Sequence, residues 1–307
     1  MIPIVYHPEY VSPLPLGHRF PMAKFAALHS ILRAERILTD ENVRVPQRAE
    51  DADLMLVHDA DYVRSFTKGT LPARELRRIG LPWSSSLVAR TKRAVGGTLL
   101  TARLALRHGI ALNTAGGTHH AHPSYGSGFC IFNDLAVTAR RLLQEGTVTH
   151  VLIVDLDVHQ GDGTLASFRD DPRVTCLDVH CGENFPFRKQ STGINRSVPV
   201  GMTDDAYLTE VGAALEHALT VRRPDLALYD AGVDVFHGDR LGKLSLTRDG
   251  IERRDRLVLS RLNALGIPVA AVIGGGYQND LHRLAHLHAT LHRVAVALET
   301  PEVPETP

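Results

Sequence analysis

Cysteine is scarce in this sequence, and long hydrophobic runs are absent from it. The 307 residues include three cysteines and no CxxC pair, which argues against a disulfide framework and a cysteine-based zinc module. We expect these thiols to be reduced and to fill the core. No apolar run approaches the roughly 18 residues that a membrane helix needs, and the N-terminus has no basic, apolar leader. A soluble cytoplasmic protein without membrane contact is therefore expected.

An excess of positive charge is also missing. Lysine plus arginine and aspartate plus glutamate both number 34, and no basic run is interleaved with aromatic residues. Direct binding of nucleic acid is therefore not expected. Hydrophobic residues make up 44% of the chain and charged residues 22%, values that are ordinary for a globular protein with a sizeable core.

Strand-like and helix-like segments alternate along the chain. This alternation predicts a single-domain, three-layer α/β/α fold with a mostly parallel central sheet. We expect the domain to cover residues 1–298 and the proline- and glutamate-rich residues 299–307 to form a disordered tail. Residues 67–82 are predicted to form a polar loop. The strand-like runs lie at residues 2–6, 109–113, 151–154, 174–179, 226–229 and 268–273.

The stretch VLIVDLDVHQGDG, at residues 151–163, carries the strongest chemical signal. Its apolar start predicts a strand that is buried on both faces. Because side chains alternate along a strand, Asp155, Asp157 and His159 are expected to point to one side as the strand ends. Glycines then allow a tight turn that brings Asp162 back toward them. For Asp162 alone, capping of the following turn is an equally good explanation.

Other predicted strands also end in polar residues, namely His119 and His120, Asp234, and Tyr277. Ligands of parallel α/β sheets bind beyond the carboxyl ends of the strands, so we expect these residues to share one site. Asp157, His159 and Asp234 offer three nitrogen and oxygen ligands and leave a coordination position open, as a catalytic zinc requires. Such a metal polarises a substrate carbonyl and lowers the pKa of a water molecule.

The remaining polar residues suit proton transfer. The pair His119 and His120 can supply a general base and acid, and Asp155 and Asp162 remain to orient the imidazoles. Tyr277 follows three glycines and can offer its hydroxyl to an oxyanion. A histidine pair or a glycine-rich turn alone is an ordinary surface loop, and only their combination favours a site.

Four further histidines share one predicted helix, at positions 282, 286, 288 and 292. Two pairs of them have the i, i+4 spacing of metal ligands, but no other ligand type accompanies them. We expect them on a solvated or half-buried helix surface.

Five blocks together resemble the arginase-deacetylase superfamily and, within it, the zinc-dependent histone deacetylases. The blocks are GGTHHA at 116–121, GFCIFND at 128–134, VDLDVHQGDG at 154–163, DAGVD at 230–234 and GGGY at 274–277. The stretch DAGVDVFHGDRLG, at 230–242, is most similar to the class IV branch and its bacterial relatives. The resemblance implies the arginase-deacetylase fold and a zinc ion, or iron in the cell, held by Asp157, His159 and Asp234.

The resemblance also implies individual roles for the other residues. His120, backed by Asp162, would be the general base and then the acid, and His119, backed by Asp155, the electrostatic partner. Tyr277 would bind the substrate carbonyl. An acyl-lysine tunnel is implied between Phe129 and Phe185, with Gly128 lining it through its backbone. A structural potassium or sodium ion is implied near Asp155, Asp157, His159 and Asp178.

The activity expected from this resemblance is hydrolysis of an acyl-lysine amide in a protein or peptide, with an acetyl or longer acyl group. Alternatives with the same fold are a deacetylase of acetylpolyamines or another small acylated amine, and a dimanganese ureohydrolase. A further alternative is a catalytically silent scaffold that binds acyl-lysine. Gln160 and Thr118 depart from the usual family pattern, and no rim carboxylate is identifiable. The sequence leaves open the physiological substrate, the acyl length, the native metal and the oligomeric state.

Overall fold

The computed structural model describes residues 1–299, and residues 300–307 of the predicted tail lie outside that description. Within the described residues, one eight-stranded sheet has the order β2-β1-β3-β8-β7-β4-β5-β6, and all of its paired neighbours are parallel. The strands are β1 (Ile4–Val5), β2 (Val43–Arg44), β3 (Ile110–Asn113), β4 (Val151–Asp155), β5 (Val174–Cys181), β6 (Ile194–Val198), β7 (Leu226–Asp230) and β8 (Val269–Val272).

The helices connect these strands and cover the sheet. Asn133 and Thr247 cap two of them as their sequences predict, accepting hydrogen bonds from the backbone N–H groups of Ala136 and Gly250. The helices are α1 (Lys24–Ala34), α2 (Asp51–Leu54), α3 (Ala60–Lys68), α4 (Ala73–Ile79), α5 (Ser85–His108), α6 (Asp134–Gln144), α7 (Asp162–Ser167), α8 (Asp204–Val221), α9 (Arg248–Ala264) and α10 (Leu281–Glu299).

The core is divided by the sheet into two parts. Along β4, Val151 and Ile153 pack into one part with α6. Leu152 and Val154 pack into the other part with α1, α8, α9 and α10. This alternation follows from the two-residue period of a strand that is buried on both faces. The predicted three-layer α/β/α fold is confirmed.

The elements that the sequence prediction missed include α4, β2 and β6. Residues 67–82, predicted as a polar loop, contain α4, a short and mostly charged helix whose only buried residue is Ile79. Strand β2 has only two residues, both half-buried. Strand β6 lies at the edge of the sheet, where Arg196 and Ser197 are exposed. None of the three carries the apolar run or the wide apolar face from which buried elements are recognised.

The histidines of α10 divide into two kinds. His282 is exposed and His286 is half-buried, in agreement with the sequence prediction. That prediction is wrong for His288 and His292, which are buried. The reason is that α10 packs against both α1 and α9, so it buries a wider face than that of a surface helix. No ring nitrogen of His288 has a hydrogen-bond partner among residues 1–299.

Among residues 1–299, no helix has both the length and the apolar character needed to span a membrane. The three cysteines are free and buried, as expected. The cellular location stays a prediction.

Candidate active site and metal centre

The carboxyl ends of neighbouring strands bring the predicted polar residues to one edge of the sheet. Asp155 ends β4 and pairs in register with Asp230, the last residue of β7. On the other side of β4, Asp155 pairs with Asp178 of β5. The segments after β3 and β8 lead to the histidine pair and the glycine loop. Because the strands are parallel, their carboxyl ends bring these polar side chains to the same edge of the sheet.

The first cluster at this edge consists of Asp157, His159 and Asp234, which we call the ligand group. All three are buried, and one potential ligand atom from each lies within 4.8 Å of the others. His159 Nδ1 lies 3.0 Å from Asp157 Oδ1 and 3.2 Å from Asp234 Oδ2. Asp234 Oδ2 is buried and accepts no hydrogen bond from the described residues. Two carboxylates and an imidazole with a vacant acceptor oxygen fit a divalent metal.

The loop after β8 approaches the ligand group closely enough to require glycine. The N–H of Gly275 donates to Asp157 Oδ2 over 2.8 Å. A Cβ atom at position 275 would collide with the carboxylates of both Asp157 and Asp234. Glycine at this position therefore allows the backbone to orient the Asp157 carboxylate directly.

Arg254 of α9 binds the backbone next to the ligand group. Its fully buried guanidinium donates to the carbonyl oxygens of Leu156 at 3.2 Å, Ala231 at 3.2 Å and Gly232 at 2.6 Å. These carbonyls immediately precede the segments that carry Asp157 and Asp234. Sequence reasoning missed this residue. Its spacing from Ile251 and Val258 places it on the apolar face of α9, where a charged residue indicates a buried cation with polar partners.

The histidine pair has the carboxylate partners that the resemblance implies. His119 Nδ1 donates to Asp155 Oδ2, and His120 Nδ1 donates to Asp162 Oδ1, both over 2.7 Å. The other oxygen of Asp162 accepts from His122 Nε2 over 2.9 Å. The sequence prediction missed His122, although the alternation in HHAH could have indicated it.

A second cluster consists of His119, Asp155 and Asp230, which we call the relay group. Its potential ligand atoms also lie within 4.8 Å of one another. Both carboxyl oxygens of Asp230 are buried and have no partner among the described residues. Burial raises the pKa of Asp230 well above its usual value, and the charges of Asp155 and Asp157 raise it further. The buried setting of Asp230 therefore favours the protonated form of its carboxyl.

The two adjacent histidines have opposite pKa shifts. Burial alone would lower the pKa of His119, but the carboxylates of Asp155 and Asp157 raise it well above its usual value. For His120, burial and the positive charge of His119 lower the pKa to about 4, and Asp162 opposes this only in part. The surroundings thus favour the charged form of His119 and the neutral form of His120.

Asp178, predicted near a monovalent cation, already uses both carboxylate oxygens. One accepts from His180 Nδ1 over 2.6 Å, and the other accepts from the N–H of Gly161 over 2.7 Å. The cation stays a prediction.

A cavity of about 360 Å³ reaches the ligand group, and His159, His120, Phe129, Phe185 and Tyr277 line it. The Phe185 ring stands edge-on to His120 with 4.8 Å between centroids. The Phe129 ring lies 5.8 Å from that of Tyr277. Two aromatic walls therefore lead toward the imidazoles.

The backbone at positions 128 and 129 is left-handed. Gly128 has φ of 53°, and a Cβ there would lie 2.7 Å from the His120 ring. Phe129 has φ of 66°, an unfavourable value for a side chain of this size. Its N–H donates to the carbonyl of Ile79 over 2.8 Å, which ties the wall of the cavity to the end of α4.

Tyr277 presents a hydroxyl that makes no hydrogen bond to residues 1–299. Burial raises its pKa well above the usual value, and the charges of Asp157 and Asp234 raise it further, so the group stays a donor. The N–H of Tyr277 donates to Asp239 Oδ2 over 2.7 Å, which fixes the end of the glycine loop.

Lys24 is a buried cation that the sequence prediction missed. Its Nζ donates to the carbonyl of Gly274 over 2.9 Å and lies 5.9 Å from the centre of the Tyr277 ring. Burial lowers its pKa to about 8, although Asp234 and Asp157 oppose the shift. Its spacing from Leu28 puts it on the apolar face of α1, the same signal that Arg254 gives.

Comparison with known proteins places these features in a family. The sequence profile of the histone deacetylase domain matches residues 18–292. An uncharacterised protein of Picosynechococcus is 55% identical over 95% of this chain and 98% of its own length. Histone deacetylase 2 of Arabidopsis thaliana is 33% identical over 87% of this chain and 71% of its own length. The crystal structure of the HDA15 HD domain has the same fold, with a TM-score of 0.81 and 19% identity over 99% of this chain and 90% of that one.

Proposed function

This chain belongs to the histone deacetylase family, and we propose that it is a zinc-dependent hydrolase that removes acetyl or longer acyl groups from the Nε atom of lysine in proteins or peptides. One observation carries the proposal: the ligand group, two buried histidine-carboxylate pairs and Tyr277 lie at one edge of the sheet, and a member of each of these sets, His159, His120 and Tyr277, lines the same aromatic cavity. A protein that only bound acyl-lysine would have no need for paired imidazoles.

Asp157, His159 and Asp234 would hold the metal. When bound, zinc supplies a Lewis acid that polarises the amide carbonyl and lowers the pKa of a water molecule. The chain itself keeps these three side chains in place. Gly275 donates a hydrogen bond to the Asp157 carboxylate, and Arg254 donates to backbone carbonyls close to Asp157 and Asp234.

His120 would accept the proton of the attacking water and then donate it to the lysine nitrogen as the C–N bond breaks. Its Nδ1–H is engaged by Asp162, which fixes the ring and leaves Nε2 to exchange the proton. His119, held by Asp155, would remain charged and stabilise the negative charge that develops on the substrate.

Tyr277 would donate its hydroxyl to the oxyanion that forms from the substrate carbonyl. Its lack of another partner leaves the donor available, and a preorganised donor of this kind lowers the reaction barrier. The lysine stem would lie between Phe129 and Phe185, and the backbone of Gly128 would line the same passage.

The test is turnover of lysine peptides carrying acyl groups from acetyl to myristoyl, together with acetylated polyamines, with bound zinc quantified. We expect cleavage of an acyl-lysine series that stops on chelation and returns with zinc. Tyr277→Phe should retain zinc but lower turnover by about 10²-fold or more, as loss of one oxyanion donor typically does. Tyr6→Phe, which alters a tyrosine outside the cavity, serves as the matched control.

The other outcomes are distinct. Cleavage of polyamines alone would contradict the substrate assignment while leaving the site intact. Zinc-loaded protein that cleaves nothing would favour the scaffold alternative. An unchanged rate in Tyr277→Phe would remove that residue from the mechanism, and restoration by iron but not zinc would correct the metal.

A further inference from the structure

The mouth of the cavity is positively charged. Arg19, Arg77 and Arg78 line the same cavity as His159 and Tyr277, and its lining includes no aspartate or glutamate among the described residues. No rim carboxylate was identifiable in the sequence, and the lining of the cavity has an excess of cations. A polycationic amine would meet repulsion here, and an anion would meet attraction.

The segments that carry these arginines are joined to each other and to the cavity wall. His18 Nε2 donates to the carbonyl of Gly80 over 3.0 Å, which connects the loop before α1 to the end of α4. Gly80 packs against the Phe129 ring, where a Cβ would lie at 3.1 Å. Arg19 and Arg77 are therefore held at the entrance by fixed backbone, although their side chains are exposed.

Two of the three charges are unpaired. Arg78 forms an ion pair with Glu75 at 3.1 Å and lies over the Tyr125 ring at 4.5 Å. By contrast, Arg19 and Arg77 make no hydrogen bond or ion pair with any residue in 1–299. The dipole of α4 accounts for a cation in its last turn, but it does not account for Arg19, which lies in a loop.

We propose that Arg19 and Arg77 form a carboxylate-binding subsite that favours acyl-lysine flanked by glutamate or aspartate. The inference rests on the proposed function, because an acyl-lysine side chain in the tunnel places its neighbouring residues at the mouth. A guanidinium binds a carboxylate with two parallel hydrogen bonds, so the subsite contributes orientation as well as charge. Its ligand is an acidic peptide segment.

The test compares three acetyl-lysine peptides that carry glutamate, glutamine or lysine at both adjacent positions. Binding of the fluorescein-labelled peptides to the zinc-loaded protein is measured by anisotropy, and turnover is measured in parallel. The glutamate peptide should bind roughly four- to twentyfold more tightly than the glutamine peptide at low salt, since each exposed ion pair typically gives about a two- to fivefold effect. The preference should shrink at high ionic strength.

The variant R19Q/R77Q should reduce this preference to about twofold or less, within the weakest range of exposed pairs. R74Q, which changes an exposed arginine of α4 outside the cavity, should leave it unchanged. Equal or absent binding of the glutamate and glutamine peptides, or an unchanged preference in R19Q/R77Q, overturns the subsite. If the preference is present and no peptide is cleaved, the subsite stands and the proposed function fails.

Discussion

Two clusters of one histidine and two aspartates lie side by side at the same edge of the sheet, yet their atoms are engaged differently. In the ligand group, His159 lies between two carboxylates, lines the cavity, and leaves Asp234 Oδ2 without a donor. In the relay group, His119 is already bound to Asp155 at 2.7 Å. Asp230 is completely buried beneath Gly117 and Gly274 and does not reach the cavity.

The comparison shows that residue composition alone does not define a metal site. Both clusters have oxygen and nitrogen atoms at a suitable separation, but only the ligand group has a member, His159, that lines the cavity. The relay group instead has a hydrogen bond that fixes an imidazole, and a buried carboxyl, Asp230, whose pKa is raised. The first arrangement suits a cation with an open position, and the second suits control of a proton.

The largest expected effect comes from breaking the ligand group. Asp234→Ala removes a proposed metal ligand and also the acceptor of the Val158 N–H, which lies at 2.9 Å. Metal content and turnover should both fall to near zero, because two remaining ligands do not hold zinc tightly. Elemental analysis of the purified variant measures this, and Asp249→Ala on the exposed side of α9 is the control. Full zinc occupancy in Asp234→Ala would refute the ligand set.

A smaller effect is expected from the relay group, with the metal retained. Asp155→Asn keeps the side-chain oxygen that accepts from the Asp157 N–H but replaces the carboxylate that faces His119. Turnover should fall by up to about 10⁴-fold, the loss seen when a carboxylate that orients a catalytic histidine is made neutral. Zinc content should stay at one ion per chain. Loss of zinc in this variant would mean that the two groups are not separable.

Most of the fold was predictable from the sequence, and so was the edge of the sheet at which the proposed site residues lie. The buried strands have apolar runs and end in polar residues, so both their order in the chain and their common edge can be read from local pattern. Asp157 and His159 follow β4 directly, and Asp234 follows β7. Their approach depends on the parallel pairing that the alternation of elements already predicts.

The supporting residues were harder to predict, because their roles arise from contacts between distant segments. Arg254 and Lys24 donate to carbonyls that lie 22 or more residues away in the sequence. Only their position on an apolar helix face marks them. The arginines at the mouth resemble ordinary exposed charge until the His18–Gly80 contact brings their segments together. Long-range placement of polar groups on the surface leaves no periodic signal.

The finest test of the comparison is Asp230→Asn, a nearly isosteric change in the relay group. The folded protein raises the pKa of Asp230 well above the usual value of 3.8. The ionisable side chain therefore makes wild-type protein less stable once the pH exceeds the pKa of this group in the unfolded chain. Asparagine does not titrate and has no such effect. In metal-free protein, the melting temperature of the variant should therefore exceed that of wild type at pH values above 3.8, and the difference should grow with pH to roughly 2–5 °C. Its zinc content should be unchanged, because burial favours the protonated form of Asp230, and a protonated carboxyl is a poor metal ligand. A drop in bound metal on Asp230→Asn would instead make the relay group a second metal site and erase the distinction between the two clusters.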